Sequence, residues 1–575
     1  MKSSSTTARI NKITLLALWL LPLGFLMIFY FYPLSSILEV SFSRAEGGIL
    51  SPFIEALSSQ RIKYVLWFSI WQAALSTIFT LIIGLPGAYL FARYDFRGKS
   101  LLRSLTVIPF VLPTLVVAAA FNSLLGPGGW VNLALMKIFD FPNPPLQFVH
   151  TLYAILVAHI FYNTTIVLRM VGDFWSHIDP RLGQAAQVLG ANRLQSMLRI
   201  AAPILAPVII TAALLVFIFN FTSFGVILVL GGPRYATLEV EIYYQTVSLF
   251  NLPLAAVLAL LQLLCTLGLT ILYTQLSARL SRPLVLRPRK YTQKKLTTWQ
   301  SKLFTIIMVG ILTTILITPL AALATRSVSR LNPEQSQLHE SESRITLEYY
   351  RELTVNRRGS FFYVAPSTAI IVSLSYAAAT VLFALLLGIP AAWALSQNQE
   401  SKFNRAIDPI LMLPLGTSAV TLGLGFIVAL NQPPLDLRAS VLLIPIAHTL
   451  VAFPFVVRSL APPLQSIRPR LRQAAQVLGA SPGQVVKYID LPIIARAILV
   501  AAAFAFTISL GEFGATAMIA RPEYPTIPIM IYRFISQPGA LNYGQALSLS
   551  TILMLTTAIS MLAIEQFRIA DIGEF

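Results

Sequence analysis

The chain has 575 residues, of which 56% are hydrophobic and only 11% are charged. Soluble domains carry about 25% charged residues, so this chain lacks the polar surface that soluble domains of the same total length would need. The composition therefore excludes a soluble fold and predicts an all-α integral membrane protein with many spans.

Apolar runs of the length needed to cross a bilayer, about 20 residues, occur along the whole chain. Twelve such runs are found, in chain order, at 14–39, 65–92, 105–125, 152–172, 203–230, 252–277, 303–325, 367–396, 407–430, 440–461, 492–519 and 547–567. We therefore predict a multi-pass protein of the cell membrane, with the lipid bilayer as its surroundings.

Basic residues set the expected direction of the spans. The formal net charge is +19, and Lys and Arg concentrate in the tail before the first span, in the loop 93–103 and in the stretch 279–302. Because cytoplasmic loops carry the excess of Lys and Arg, both chain ends are predicted to be cytoplasmic. The 279–302 stretch lacks the aromatic platform that single-strand nucleic-acid binders use, so no nucleic-acid partner is expected.

An internal duplication organises the chain. The segment IDPRLGQAAQVLGA at 178–191 recurs as IRPRLRQAAQVLGA at 467–480, and the two copies differ at only two positions. The same offset of 289 residues pairs His159 with His448. Each half thus holds six spans. An even number of spans gives the halves one orientation, with their pseudo-twofold axis along the membrane normal.

The repeated segment lies in the loop between the fourth and fifth spans of each half and is predicted to form a short helix. Small residues on one face of that helix allow a close approach to a partner surface. The residues expected to meet the partner are Gln184, Ala185, Ala186 and Gly190 in the first copy and Gln473, Ala474, Ala475 and Gly479 in the second. The two alanines, the glycine and a later proline (Pro203, Pro492) resemble the signature loop of binding-protein-dependent ABC importer permeases.

This resemblance implies a type I ABC importer permease fold, built here as two parallel six-helix repeats in one chain. It further implies that the two loop helices are coupling helices, that two copies of a cytoplasmic ABC ATPase subunit dock on them, and that an extracytoplasmic binding protein delivers the substrate. Gln184 and Gln473 stand where the family often has Glu, which affects the details of docking. The implied division is 1–64 (first span and external loop), 65–277 (first permease domain), 278–302 (basic linker), 303–366 (seventh span and external loop), 367–567 (second permease domain) and 568–575 (tail).

The sequence does not identify the substrate. The fused halves, together with the segments 158–170 and 521–532, resemble the fused permeases for ferric iron and for thiamine. The main alternative function is an ion-coupled secondary transporter, which also often has parallel halves. That alternative requires intramembrane ionisable residues, of which the chain has few, and it leaves the repeated loop unexplained. A lipid-modifying membrane enzyme is disfavoured because no catalytic constellation is present.

Glu512 is the main candidate for a residue of the transport path or of a gate, because acidic residues inside spans are costly and often functional. It is predicted to lie within the eleventh span, and its repeat counterpart is Ser223. The alternative is a structural, hydrogen-bonded carboxyl. The equivalent histidines His159 and His448 are expected to be buried and bonded to a neighbouring carbonyl rather than to bind iron.

No catalytic residue, cofactor site or metal site is predicted. The segment 97–100 (RGKS) resembles the end of a phosphate-binding loop, but the glycine that the motif requires is replaced by Arg93. Cys265 is the only cysteine, which excludes an intrachain disulfide and a multi-cysteine metal cluster. We therefore expect ATP hydrolysis to belong to a separate subunit, so that this chain itself is not an enzyme.

Overall fold

The computed structural model describes residues 18–42, 51–280, 293–331, 345–355, 364–397, 401–431, 433 and 435–569. Predictions that concern both chain ends, residues 1–17 and 570–575, lie outside the described residues. The same holds for residues 281–292 of the basic linker.

The membrane-spanning helices confirm the predicted all-α architecture. The described residues contain eleven helices that are long and apolar enough to cross a membrane, and one sharply bent helix pair that brings the number to twelve if it counts as a single span. The eleven are Leu18–Phe42, Gln60–Arg93, Thr114–Phe139, Leu152–Ser176, Leu194–Phe221, Leu252–Ser277, Trp299–Ser327, Pro366–Gln397, Leu443–Ser466, Pro482–Gly511 and Ala540–Ile564, and the pair is Lys402–Gly416 with Ala419–Ala429.

Shorter elements connect the spans. They are the helices Ser51–Ser58, Lys99–Leu105, Ile108–Val111, Pro180–Val188, Gly225–Leu230, Leu238–Tyr243, Glu348–Glu352, Pro469–Val477, Gly514–Ile519 and Ile527–Ile535, and the 3-10 turn Pro233–Tyr235. The span Thr114–Phe139 consists of the helices Thr114–Leu125 and Trp130–Phe139. Two short parallel strands, Tyr94–Asp95 and Lys294–Lys295, pair with each other, so the end of the basic linker lies against the loop after the second span.

Equivalent helices of the two halves pack in the same way. A Cβ atom on Gly84 would lie 2.7 Å from Val167 Cβ, and one on Gly388 would lie 2.5 Å from Val456 Cγ1. Each glycine therefore lets two spans approach closely, which is how small residues promote helix association in a membrane. The repeat seen in the sequence is thus a repeat of helix packing.

Two of the predicted spans are broken inside their apolar runs. The run 203–230 forms one helix that ends at Phe221 and a second over Gly225–Leu230. Its counterpart 492–519 forms a helix that ends at Gly511 and a second over Gly514–Ile519. The prediction that Glu512 lies within a span is therefore wrong, because the backbone leaves the helical conformation at this residue.

The third and ninth spans also differ from prediction. The run 105–125 divides around prolines, so that its long helix begins only at Thr114. The predicted span 407–430 is bent by 94° between Gly416 and Ala419. Proline lacks an N–H donor and disfavours a helical residue before it, which accounts for the division of the third span at Pro109 and Pro113.

The segment 231–251, which separates the predicted spans 203–230 and 252–277, folds back into the protein. It forms the first re-entrant helix, Leu238–Tyr243, whose six residues are all buried. Its repeat counterpart is the second re-entrant helix, Ile527–Ile535. Each helix begins in the same way, since the backbone N–H of Leu238 donates to Ser69 Oγ at 2.9 Å and that of Ile527 donates to Ser373 Oγ at 2.8 Å. Protein on all sides makes such a short segment tolerable at membrane depth.

Candidate functional site

A cavity of about 340 Å³ lies between the two halves, where the broken spans face each other. We call it the central cavity. It is lined by the break after Phe221 in the first half and by the break around Glu512 in the second, together with residues of the third, fourth and ninth spans. Its volume is in the range of sites that hold small organic ligands.

Stacked aromatic rings join the halves at the wall of the cavity. Phe224 and its repeat counterpart Phe513 stack with their ring centroids 5.4 Å apart. Phe224 also packs on Tyr243 at 5.4 Å, and Phe513 packs on Tyr532 at 5.6 Å. Tyr243 and Tyr532 are repeat counterparts on the two re-entrant helices. The pseudo-twofold axis therefore passes through a four-ring aromatic cluster beside the cavity.

Both residues predicted for the path, Ser223 and Glu512, line the central cavity. Each lies beside the histidine of its own half. His159 Nε2 is 2.9 Å from Ser223 Oγ, and His448 Nε2 is 3.2 Å from Glu512 Oε2. The expectation that the histidines bond to backbone carbonyls is wrong, because their partners are hydroxyl and carboxylate groups; the other ring nitrogen of His159 faces Ser76 Oγ at 3.0 Å.

The Glu512 carboxylate also stabilises the start of the helix that follows it. It accepts hydrogen bonds from the backbone N–H groups of Ala515 and Thr516 at 2.8 and 3.1 Å, and from Thr516 Oγ1 at 2.7 Å. An acidic group at a helix N-terminus is favourable because it satisfies free N–H donors. The Glu512 carboxylate therefore has a structural role, and the same residue lines the central cavity.

Glu239 is a cavity residue that the sequence analysis missed. It lies on the first re-entrant helix, is 1% exposed and lines the central cavity. Its carboxylate accepts hydrogen bonds from Gln262 Nε2 and from Ser418 Oγ, and Ser418 belongs to the second half. A usable signal existed, because the 289-residue offset aligns TLEVEIYY at 237–244 with TIPIMIYR at 526–533, which marks a structured repeat rather than a free loop.

The polar lining of the cavity comes mainly from the first half. Asn163 Nδ2 donates to Asn220 Oδ1 at 2.7 Å, and both residues line the cavity. Their repeat counterparts are Ala452 and Ser509. The second half contributes mostly small and apolar residues around Glu512. The cavity is therefore chemically asymmetric although the fold around it is a repeat.

The two repeated loop segments form helices with no packing partner along most of their surface. We call Pro180–Val188 the first loop helix and Pro469–Val477 the second. Among the predicted contact residues, Ala186 and Ala475 are partly covered, whereas the following are exposed: Gln184, Ala185, Gly190, Gln473, Ala474 and Gly479. The apolar tips are almost fully exposed, with Leu189 at 88% and Leu478 at 87%. Exposed apolar tips of this kind indicate a binding surface.

Gly190 and Gly479 end the loop helices in a left-handed conformation, with φ of +92° and +86°. Their N–H groups donate to Gln187 O and Gln476 O at 3.0 Å. Glycine is favoured at this position because it adopts positive φ without steric cost. A Cβ atom at either position would meet nothing within 4 Å. The glycines are thus required by the backbone conformation, whatever binds the helices.

The two loop helices are held differently. Arg472 of the second helix pairs with the buried Asp490 at 2.8 Å, and its guanidinium lies 5.7 Å from the ring centre of Trp393. The repeat counterpart of Arg472 is Gly183, whose carbonyl accepts a hydrogen bond from Ser196 Oγ at 3.2 Å. The second loop helix is therefore joined to its following span by an ion pair, and the glycine at the equivalent position of the first helix cannot form one.

No group of three or more His, Cys, Asp and Glu side chains suitable for a metal ion occurs within the described ranges. The two histidines of the spans lie in separate hydrogen-bonded groups, one per half.

Comparisons with known proteins agree with this architecture. The family model of the binding-protein-dependent transport system inner membrane component matches twice, at residues 84–282 and 384–568. The thiamine transport system permease protein ThiP of Escherichia coli strain K12 is 26% identical over 83% of this chain and 85% of that protein. The ThiP proteins of Brucella abortus strain 2308 and Haemophilus influenzae strain KW20 are 28% and 26% identical, over 86% and 96% of this chain and 86% and 95% of those proteins.

A crystal structure of a bacterial ABC transporter involved in the import of the acidic polysaccharide alginate matches with a TM-score of 0.40 and 19% identity, covering 48% of this chain and 100% of that chain. The two family matches together take in most of the chain and fall one in each half. This chain belongs to the family of binding-protein-dependent transport system inner membrane components, as a fused permease with two domains.

Proposed function

We propose that this chain is the membrane-spanning subunit of an ATP-driven importer of thiamine. Relatives named as thiamine permeases align with most of its length, at 26–28% identity. Ferric iron, which the sequence resemblance also left open, has no specific support from these relatives. The alternative of an ion-coupled secondary transporter is disfavoured, because the chain belongs to a family of binding-protein-dependent transport components.

The central cavity is the proposed substrate path. It lies at the interface of the halves, and parallel repeats of transporters place their substrate sites at such an interface. A relative movement of the halves would change access to it, because Phe224 and Phe513 bring one ring from each half into a single stack. Ser223 and Glu512 are the path residues proposed on each side of that stack.

The loop helices are the proposed docking sites for two copies of a cytoplasmic ATPase subunit. They carry equivalent exposed tips, and they lie on the same side of the membrane if the bent pair counts as one span. This assignment places both chain ends and the linker 278–302 in the cytoplasm, and it leaves the opposite side for an extracytoplasmic binding protein. Site-specific labelling would test it: position 290 should be protected in sealed spheroplasts, whereas position 340 should react from outside.

Reconstitution tests the proposed function as a whole. The chain would be co-expressed with an ABC ATPase subunit and a thiamine-binding protein, and the membrane complex would be placed in proteoliposomes. Radiolabelled thiamine should accumulate only when ATP reaches the ATPase side and the binding protein is on the other side. ATP turnover by the chain without the ATPase subunit, or thiamine uptake that follows an ion gradient without ATP, would contradict the proposal.

A further inference from the structure

Two acidic residues lie two positions apart on the first re-entrant helix, and only one of them is paired with a positive charge among the described residues. Glu239 and Glu241 are each 1% exposed. Glu241 is paired with Arg61, whose Nη2 and Nε atoms lie 2.7 and 3.1 Å from Glu241 Oε2, and it also accepts from Gln245 Nε2 at 2.8 Å. Glu239 accepts only from the uncharged donors of Gln262 and Ser418. Over the part of the chain that the structure describes, no Lys, Arg or His side chain pairs with Glu239.

The environment of Glu239 is open to a ligand, whereas that of Glu241 is filled by Arg61. Glu239 lines the central cavity, and Glu241 does not. The described residues of the cavity wall include no Lys or Arg, and their one imidazole, that of His159, lies between two serine hydroxyls. A buried carboxylate without a countercharge is costly, and neutral hydrogen bonds offset only part of that cost. A cation in the cavity would supply the missing charge.

The other acidic residue of the cavity wall is less available. Glu512 already has His448 at 3.2 Å and accepts three hydrogen bonds from Ala515 and Thr516. Aromatic rings, including those of Phe224 and Phe513, form the cavity wall where the two halves meet. Such rings attract organic cations through their faces and also pack against a flat apolar body. The cavity thus combines one uncompensated carboxylate with aromatic surface.

We propose that Glu239 is the cation-binding residue of the central cavity and that the cavity selects organic monocations with an aromatic body. The inference rests on the proposed function, because the thiazolium ring of thiamine is such a cation. It adds a specific residue and a chemical reason for selectivity. The second half cannot offer an equivalent site, since the repeat counterpart of Glu239 is Pro528.

Equilibrium binding to the full permease–ATPase complex in nanodiscs tests this role. The probes are radiolabelled thiamine, its neutral deaza analogue, in which carbon replaces the thiazolium nitrogen, and benzyltrimethylammonium. Wild type should bind both cations more tightly than the neutral analogue. Glu239→Gln should weaken binding of the cations by at least about tenfold and leave the neutral analogue unchanged, because it removes charge and keeps shape.

Glu241→Gln is the matched control, since it removes an equally buried carboxylate on the same helix that is already paired with Arg61 and lies off the cavity wall. It should leave cation binding within about twofold of wild type. Ser418→Ala, which removes a neutral donor to Glu239, should retain the preference for cations.

Equal loss of all three probes in Glu239→Gln, or no loss of any, would overturn the inference, as would a wild type without preference for cations. Binding of benzyltrimethylammonium that depends on Glu239, in a complex that ignores thiamine, would support the cation site and contradict the thiamine proposal. Failure of the cation site and failure of the thiamine proposal therefore give different results.

Discussion

The two halves of the molecule share their packing and differ in their charged groups. Gly84 and Gly388 make equivalent close contacts between spans, and Ser69 and Ser373 cap equivalent re-entrant helices. At the cavity and at the loop helices the halves diverge. Glu512 replaces Ser223 beside the equivalent histidine. Packing constrains a duplicated fold in both copies alike, because each copy must fill the same space.

Function does not impose the same constraint, because a small substrate has no twofold symmetry. A cavity on a pseudo-twofold axis favours one orientation of such a substrate when its two sides differ. The polar groups of the first half and the more apolar lining of the second half are the difference observed here. This comparison predicts which substitutions should have similar effects in both halves and which should affect one half only.

Arg472→Ala should have the largest effect. It leaves Asp490 buried without its cationic partner, which costs about 3–5 kcal/mol for a broken buried ion pair. We expect a lower thermal unfolding midpoint and weaker co-purification of the ATPase subunit, because the second loop helix loses its attachment to the following span. Arg470→Ala, which removes an exposed cation from the same helix, is the control and should resemble wild type. An Arg472→Ala protein with normal stability and normal co-purification would show that the ion pair does not hold the helix.

Glu512→Ala should destabilise the protein more than Ser223→Ala. The first change removes a carboxylate with three hydrogen bonds and a histidine partner. Its total cost should be about 1.5–3 kcal/mol, because removing the carboxylate also removes the cost of burying its charge. The second removes a neutral hydrogen bond to His159 of about 0.5–1.5 kcal/mol. Thermal unfolding of the two purified variants compares these effects. Equal destabilisation would mean that the halves are energetically alike at this position.

Gly190→Leu and Gly479→Leu should have similar effects, because both glycines have nearly the same positive φ. A leucine in the left-handed region costs about 1–2 kcal/mol, which should unwind the end of the loop helix and weaken ATPase binding. Asparagine tolerates positive φ, so the Asn variants at the same positions serve as controls. ATPase co-purification and thiamine-stimulated hydrolysis are the measurements. Normal coupling in both Leu variants and in the double variant would show that these loops are not the docking site.

Arg458→Ala should have the smallest effect. Arg458 pairs with Asp408 at 3.0 Å, and its side chain is 56% exposed. Exposed pairs contribute about 0.2–1 kcal/mol, so the unfolding midpoint should change little. The first half has a similar pair, Arg103 with Asp173 at 2.7 Å, in which the acidic residue lies on the fourth span. Arg103→Ala should therefore also have a small effect. A large change in the unfolding midpoint of either variant would show that the pair stabilises the fold more than its exposure implies.

The number of spans and the duplication were predictable from the sequence, because both depend on patterns that are local in the chain. Apolar length predicts a span, and the near-identity of 178–191 and 467–480 predicts equivalent loops. The end of the helix at Phe221 was not predictable in this way. Hydropathy is similar on both sides of it, so apolar length alone does not indicate where the backbone turns.

The chemistry of the cavity was only partly predictable. Glu512 stood out because it interrupts an apolar run, whereas Glu239 lies in a segment too short and too polar to be scored as a span. Its burial depends on the surrounding helices, which shield the re-entrant segment from lipid. The serine and carboxylate partners of His159 and His448 lie far away in the sequence, at Ser76, Ser223 and Glu512, so sequence spacing does not indicate them.

Site-specific cross-linking tests the central claim that each half presents one loop helix to an ATPase subunit. Cysteines would replace Val188 and Val477, which are each 87% exposed, one at a time in a Cys265→Ser background, and each would carry a benzophenone label. The account predicts an ATPase adduct from both positions on illumination of the assembled complex, and none from Ile306→Cys, which lies on an exposed apolar span surface. An ATPase subunit that co-purifies but forms no adduct from either loop helix would contradict the account.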